Sequence, residues 1–351
     1  MKLLILTQSV NRNDPVLGFF HGWISEFAKH CEQVTVIALS VGEYELPSNV
    51  KVLALGKESG ASRLKYLYHF YRYIWRERKN YDAVFVHMNP EYVVLGGPLW
   101  RIWGKKIGLW YTHKQVDLKL RIAEKLVHDI FTASRESFRL KSGKTHVMGH
   151  GIDVEFWGDI NPTSEEWPFT ILQIGRITPI KHCEVLINAA SLLSKKTDRG
   201  FRVIFIGEPA LPSDREYLND MKRLIDQLEL GETISFAGAL SATGVREYFA
   251  RTDVTINMLP TGGMDKAVLE SLAAGIPAIT TNQAFVLLYG TYAQRFVLPE
   301  LHEGSASELS EALLEIMKIP VGGETSSALR EHLRREASHT SLVKNIIMKL
   351  K

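Results

Sequence analysis

Runs of aliphatic and β-branched residues recur along the chain, separated by stretches whose apolar positions repeat every three or four residues. In the first half, strands are predicted at 3–6, 34–39, 52–55, 83–86, 107–111, 129–132 and 145–148. Helical periods lie between them at 22–30, 63–79 and 118–126. Alternation at this spacing predicts parallel βαβ units. The pattern restarts after Trp157, beyond a polar, turn-rich linker, Asp159-Ile160-Asn161-Pro162-Thr163-Ser164. Strands then recur at 170–174, 202–206, 233–237, 254–258 and 278–281, with helices at 183–194, 214–228, 245–251, 268–274 and 306–317. The last segment, 331–351, reads as one or two basic helices. The expected fold is α/β: two Rossmann-like, doubly wound domains at 1–157 and 158–334, with a helix at 335–351 packing back on the first. Ligands of such sheets bind at the carboxyl ends of the strands. Two facing sheets therefore predict a site in a central cleft.

Composition narrows the function. A chain of 351 residues has room for two domains. With 45% apolar and 23% charged residues it reads as a well-cored globular protein. The net charge of +3 gives no footprint for nucleic acid. Two distant cysteines, Cys31 and Cys183, have no metal spacing and suit a reducing compartment. Residues 1–7 turn polar too soon for a signal peptide and read as a buried strand. The apolar stretch 92–111 carries Arg101, Lys105 and Lys106, which argues against a bilayer span. The expected location is cytoplasmic.

Two stretches carry candidate chemistry. In Ile174-Gly175-Arg176-Ile177-Thr178-Pro179-Ile180-Lys181 a strand ends at glycine, an arginine follows, and a lysine stands at a helix start. A diphosphate leaving group needs fixed positive charge and helix N-terminal N–H donors; a loop with two solvated cations is the plainer reading. In Thr261-Gly262-Gly263-Met264-Asp265-Lys266 a strand runs into a glycine pair and then a helix. Glycines admit close backbone approach, and the helix dipole favours an anion there. Glu270, inside that helix, is either a solvated face residue or an acceptor for a pair of ligand hydroxyls. Gly275-Ile276-Pro277 stops the helix and starts the next strand. Lys266 reads more readily as a solvated lysine than as a catalytic one, and Asp265 reads equally as a helix N-terminal acid.

At these stretches the chain resembles glycosyltransferase family 4, which has the GT-B fold. The likeness extends to Gly151-Ile152-Asp153 with Phe156, similar to that family's Asn-Gly-Ile-Asp turn, and to Ser134, which ends a strand as a family serine does. The resemblance implies transfer of a sugar from a nucleotide-diphosphate donor, with retention of configuration, onto a glycan, lipid-linked or small-molecule hydroxyl. It implies that Arg176 and Lys181 bind the diphosphate, that Glu270 holds the ribose, and that Thr261, Gly262, Gly263, Met264 and Lys266 wrap the donor. Gly18 looks like a glycine of the first strand–helix loop. His113 is similar in position to a histidine that hydrogen-bonds the donor sugar. Gly238, within 236–240, lies in the stretch expected near the base. Asp153 is expected to be structural.

The chain departs from the family at Gly262, where a glutamate is usual, and Asp265 is the candidate substitute for contacting the sugar. His87, in His87-Met88-Asn89-Pro90, matches the acceptor-side loop only loosely. The first loop, 13–18, has one glycine where many relatives have two. No Asp-x-Asp pair occurs, so no metal or other cofactor is expected. The basic, aromatic stretch Arg63–Arg76 either packs its aromatic side on the sheet or lies on a membrane surface, at the inner face. A sugar-nucleotide epimerase of the same fold and a non-catalytic nucleotide-sugar-binding relative are the rival functions.

Overall fold

The computed structural model describes residues 1–14, 17–158, 160, 168–318 and 324–351. The linker reading at 159–164 falls, apart from Ile160, outside these residues, as does part of the 13–18 loop. The chain forms two compact units. One comprises Met1–Gly151 with Ala337–Lys351, the other Ile152–Glu336.

The chain begins with β1 (Lys2–Val10), α1 (Phe19–His30), β2 (Gln33–Val41), β3 (Val50–Ala54), α2 (Arg63–Arg76), β4 (Ala83–His87) and α3 (Pro90–Ile102). Next come β5 (Lys106–Trp110), α4 (Leu118–Leu126), β6 (Asp129–Thr132) and β7 (Thr145–Val147). The other unit holds α5 (Val154–Gly158), β8 (Phe169–Ile174), α6 (Cys183–Ser194), β9 (Phe201–Ile206), α7 (Pro212–Gln227) and β10 (Ile234–Gly238). It continues with α8 (Ala242–Phe249), β11 (Val254–Asn257), α9 (Lys266–Ala273), β12 (Ala278–Thr280), α10 (Val286–Tyr289) and α11 (Ala293–Phe296). The last helices are α12 (Ser305–Met317), α13 (Glu324–Glu336) and α14 (His339–Leu350).

The first sheet has the order β3-β2-β1-β4-β5-β6-β7, and all its pairings are parallel. Strand β1 shows why its sequence is continuously apolar. Leu3 and Ile5 enter one core with α1 and α14, while Leu4 and Leu6 enter the other with α2, α3 and α4. Alternate residues face opposite sides, so a strand covered on both faces needs no polar positions. Helix α14 closes the first core through Leu342, Val343, Ile346, Ile347 and Leu350. Beneath it, buried Glu26 meets Lys29 at 2.8 Å, His30 at 3.1 Å and His339 at 3.5 Å.

Helix α3 has no counterpart in the sequence reading, and Gly96 and Gly97 stand in its middle. Packing explains them. A Cβ at Gly96 would lie 2.5 Å from the Trp100 ring, and one at Gly97 would lie 3.0 Å from Leu126. Both glycines make room for aromatic and aliphatic neighbours.

The second sheet has the order β10-β9-β8-β11-β12, again parallel throughout. Gly175, Gly207 and Gly238, at the carboxyl ends of three adjacent strands, have φ of 133°, 143° and 75°. At Gly207 a Cβ would stand 1.9 Å from the Gly175 carbonyl oxygen. The glycines let the three strand ends lie with their backbones in contact, the Gly207 N–H reaching the Gly238 carbonyl at 2.8 Å. Helix α9 ends at Gly275 (φ 78°), whose N–H bonds to Leu272 at 3.0 Å while that of Ile276 reaches Ser271 at 2.9 Å. The Arg330 guanidinium covers Gly275 and donates to the Ala274 carbonyl at 2.7 Å.

Gly275→Ala is therefore expected to destabilise the fold by roughly 1–3 kcal/mol, the usual cost of a side chain forced into the left-handed region. Its Cβ would also displace Arg330. Chemical denaturation of both proteins measures the loss, and equal midpoints would refute the account.

Candidate functional site

The site grows from the carboxyl end of β8. Beyond Gly175 the Arg176 side chain is exposed, and Pro179–Lys181 form a single 3-10 turn that leads through His182 (φ 48°) into α6. The Lys181 side chain folds back over Gly175. A Cβ there would lie 2.8 Å from both Lys181 Cε and Nζ. Glycine is thus needed twice at 175, for its φ and for the passage of the lysine. Buried Gln173 donates to the Lys181 carbonyl at 2.7 Å and fixes the turn from below.

Lys181 Nζ lies 2.5 Å from Asp265 Oδ2, with 14% and 16% of the two side chains exposed. Asp265 is the N-cap of α9 and accepts the Ala267 N–H at 3.1 Å. Asn257, at the end of β11, donates its amide to the same Oδ2 at 2.9 Å. Burial alone would push the Asp265 carboxyl up. The Lys181 ammonium, the Ala267 N–H and the Asn257 amide outweigh burial and hold it below the ordinary carboxylate range.

The polar chain continues inward. Thr280 donates to Asn257 Oδ1 at 3.3 Å and receives the Asn282 N–H at 3.1 Å. Asn282, fully buried, accepts from the Gly262 N–H at 3.4 Å and donates to the Gly263 carbonyl at 2.9 Å. Thr261 Oγ1 receives the Gln283 N–H at 3.1 Å. The glycine loop is thus held by the Asn282 side chain and the Gln283 N–H of the segment after β12, and Met264 is half-buried at its end.

Lys266 and Glu270 lie one turn apart on α9. The expectation of a solvated Lys266 is corrected here, because its ammonium is buried. Burial lowers the Lys266 pKa against the opposing pull of Glu270 and Asp265, and burial raises that of Glu270 against the attraction of Lys266. The α9 N-terminal region therefore gathers Lys181, Asp265, Lys266 and Glu270.

Arg176 has an acidic neighbour in Asp214, on the first turn of α7. Asp214 is 4% exposed and accepts the N–H groups of Ala210 and Leu211 at 3.2 and 3.0 Å. Burial would raise its pKa, but the Thr178 hydroxyl, those N–H groups and the Arg176 charge lower it. Asn257, Thr280, Asn282 and Asp214 carry no motif in the sequence. For Asp214, the signal that could have found it is an acid two positions after Pro212, in the first turn of a helix. Gly238, ending β10, sits with its α-carbon beside the Glu208 carboxylate, a Cβ there falling 3.5 Å from Oε1.

The remaining candidates belong to the first unit or to its border. Gly18 precedes α1, where a Cβ would meet the Asp14 carbonyl at 2.6 Å. His113 is exposed after β5, and its Nδ1 accepts the Gln115 N–H at 3.1 Å. His87 is 2% exposed, stacked on Phe20 at 3.9 Å and 3.2 Å from the Thr7 hydroxyl. Ser134 is buried and closes a turn with Ser137 at 2.8 Å. Asp153 accepts the Phe156 N–H at 3.0 Å and caps α5.

The chain matches the family described as "Glycosyl transferases group 1" over residues 159–338. It is 26% identical over 117 residues to the alpha-monoglucosyldiacylglycerol synthase of Streptococcus pneumoniae, covering 33% of this chain and 25% of that protein. It is 26% identical over 115 residues to the D-inositol 3-phosphate glycosyltransferase of Pseudarthrobacter chlorophenolicus, covering 32% and 26%. The matched stretch thus spans about a quarter of each curated relative's length. Among solved structures, Anabaena HepE in complex with UDP superposes with a TM-score of 0.76 at 15% identity, over 100% of this chain and 99% of that one. HepE is also solved with UDP-glucose. Sucrose-phosphate synthase from Thermosynechococcus elongatus gives 0.72 at 13% identity, over 99% and 98%. These likenesses show the fold: two parallel sheets flanked by helices, of GT-B type.

Because Asp265 titrates below its unfolded value, its ionised form stabilises the native state. That contribution is complete above the unfolded carboxylate value near 4 and is lost as pH falls through the lower folded value. Asp265→Asn is expected to be less stable than the parent at neutral pH, with the gap narrowing below about pH 4. Urea unfolding at several pH values checks this, and a gap independent of pH would overturn the pairing.

Proposed function

The chain belongs to the glycosyl transferases group 1 family, and from that premise we propose that it transfers a sugar from a nucleotide-diphosphate donor to a hydroxyl acceptor. The carrying observation is the Lys181 side chain lying over Gly175 beside Asp265 at the α9 N-terminus, with Arg176 exposed one residue beyond that glycine. This arrangement suits a pyrophosphate. Two cations and the open N–H groups of a helix start would stabilise negative charge as the glycosidic bond breaks. Asp265 is thereby given a different task from sugar contact. It holds Lys181, so that the ammonium is oriented before donor arrives.

Glu270 is proposed to take the ribose hydroxyls, and the loop from Thr261 to Lys266, held by Asn282, to enclose the donor. Gly238 and Glu208 are proposed to flank the base. His113 and Gly18 are proposed to serve from the first unit, which would take the acceptor: a glycan, a lipid-linked or a small-molecule hydroxyl. Retention of configuration follows the family 4 resemblance, with attack on the face the phosphate leaves. Arg176 and Lys181 neutralise the leaving group in place of a metal. The buried free thiols of Cys31 and Cys183 suit a reducing compartment, and the reaction is proposed to be cytoplasmic.

HepE bound to UDP makes UDP the first nucleotide to try, beside GDP, ADP and TDP. One of these is expected to raise thermal stability, by about 2.7 kcal/mol at 100 times its dissociation constant. Arg176→Ala and Lys181→Ala should abolish that gain while the matching nucleoside binds unchanged. Each should lower nucleotide release from the matching sugar donor roughly 10²–10³-fold, and the parent should be insensitive to EDTA. Release that needs no acceptor would favour an epimerase; stabilisation without release would favour a binding relative. Near-parental binding and release in both variants would reject the assignment.

A further inference from the structure

Helix α2 has two apolar faces. Phe70 and Ile74 are buried against the first sheet. A helix so packed is expected to show water a polar face. Instead Leu64, Tyr68, Tyr71 and Trp75, at spacings of i, i+4, i+7 and i+11, form a second stripe that is 79%, 61%, 37% and 56% exposed. Tyr71 and Trp75 also line a surface groove with Arg72, Arg76, Arg78 and Leu99.

The charge beside the stripe has one sign. Helix α2 contains no acidic residue, and Arg63, Lys65 and Arg72 are exposed. Arg78 lies over the Trp75 ring at 4.5 Å. The next carboxylate along the chain, Glu77, is buried and engaged by Lys51 at 2.8 Å and Arg76 at 3.1 Å.

We propose that this face of α2 docks peripherally on an anionic lipid bilayer. Tyrosine and tryptophan suit the interface because each pairs an apolar ring with a polar edge. Flanking arginines and lysine would meet lipid phosphates and be screened by salt. A second copy of the chain fits less well, since a two-fold contact would oppose cation to cation. The assignment is independent of the donor site.

The test is co-sedimentation of the full chain with vesicles of phosphatidylcholine, or of phosphatidylcholine mixed with phosphatidylglycerol. Binding is expected only with the mixed vesicles and should weaken as salt is raised. Two variants, Tyr71→Ser with Trp75→Ser and Lys65→Glu with Arg72→Glu, should each reduce the partition coefficient roughly tenfold or more. Both change exposed positions, and an unchanged unfolding midpoint would confirm that they fold. No binding to the anionic vesicles, or equal binding by folded variants, would overturn the proposal. So would a lipid-free dimer abolished by the aromatic variant, because the occupant would then be a second copy.

Discussion

Lys181 and Asp265 come from segments far apart in the chain, and the second unit's polar interior is organised around their contact. A carboxylate with so little exposure is costly unless its charge is answered. Here it is answered by an ammonium, an amide and a helix N-terminal N–H. Each partner is in turn fixed. Gln173 holds the lysine's turn, Thr280 holds Asn257, and Asn282 joins Thr280 to the glycine loop. The result is a continuous hydrogen-bonded path from the turn after β8 to the loop before α9. A polar network of this kind stabilises a unique arrangement only when its members are satisfied, which explains why asparagine and threonine occupy buried positions there.

The same constraint shapes the backbone. Lys181 can reach Asp265 because no Cβ stands at 175, and that strand end can lie against Gly207 because position 207 has none either. The glycines at three strand ends therefore serve packing and charge placement together. Lys266 and Glu270, one turn apart on the same helix, are also withdrawn from water, so burial opposes the charge of each. Arg176, one residue beyond Gly175, remains exposed.

In the first unit the organising interaction is apolar. The strands carry aliphatic residues toward both faces, and α14 supplies the cover for α1 from the far end of the chain. Among the described residues of this unit, Glu26 and Glu77 are buried carboxylates, each met by basic partners. Helix α2 stands apart because its apolar residues exceed what the sheet can cover.

How much was legible follows from the range of each signal. Parallel strands buried on both faces read as continuous apolar runs and the partly exposed edge strands β3 and β7 as short β-rich ones, so the twelve strands among the described residues were visible with ends shifted by a few residues. Helix α3 was not, because glycine carries the same letter whether it breaks a helix or clears space for Trp100 and Leu126. The Gly-Arg and Lys181 spacing, the glycine pair and Glu270 were visible as local patterns beside strand ends. That Asp265 pairs with Lys181, that Lys266 is buried, and that Asn257, Thr280 and Asn282 join them were not, since those contacts span up to 84 positions. Sequence by itself determined the alternation of strand and helix, and hence two parallel sheets, because hydrophobic periodicity is a property of neighbours. Tertiary structure alone decided which charges meet and which are withdrawn from water, because burial and pairing depend on residues that only folding brings together.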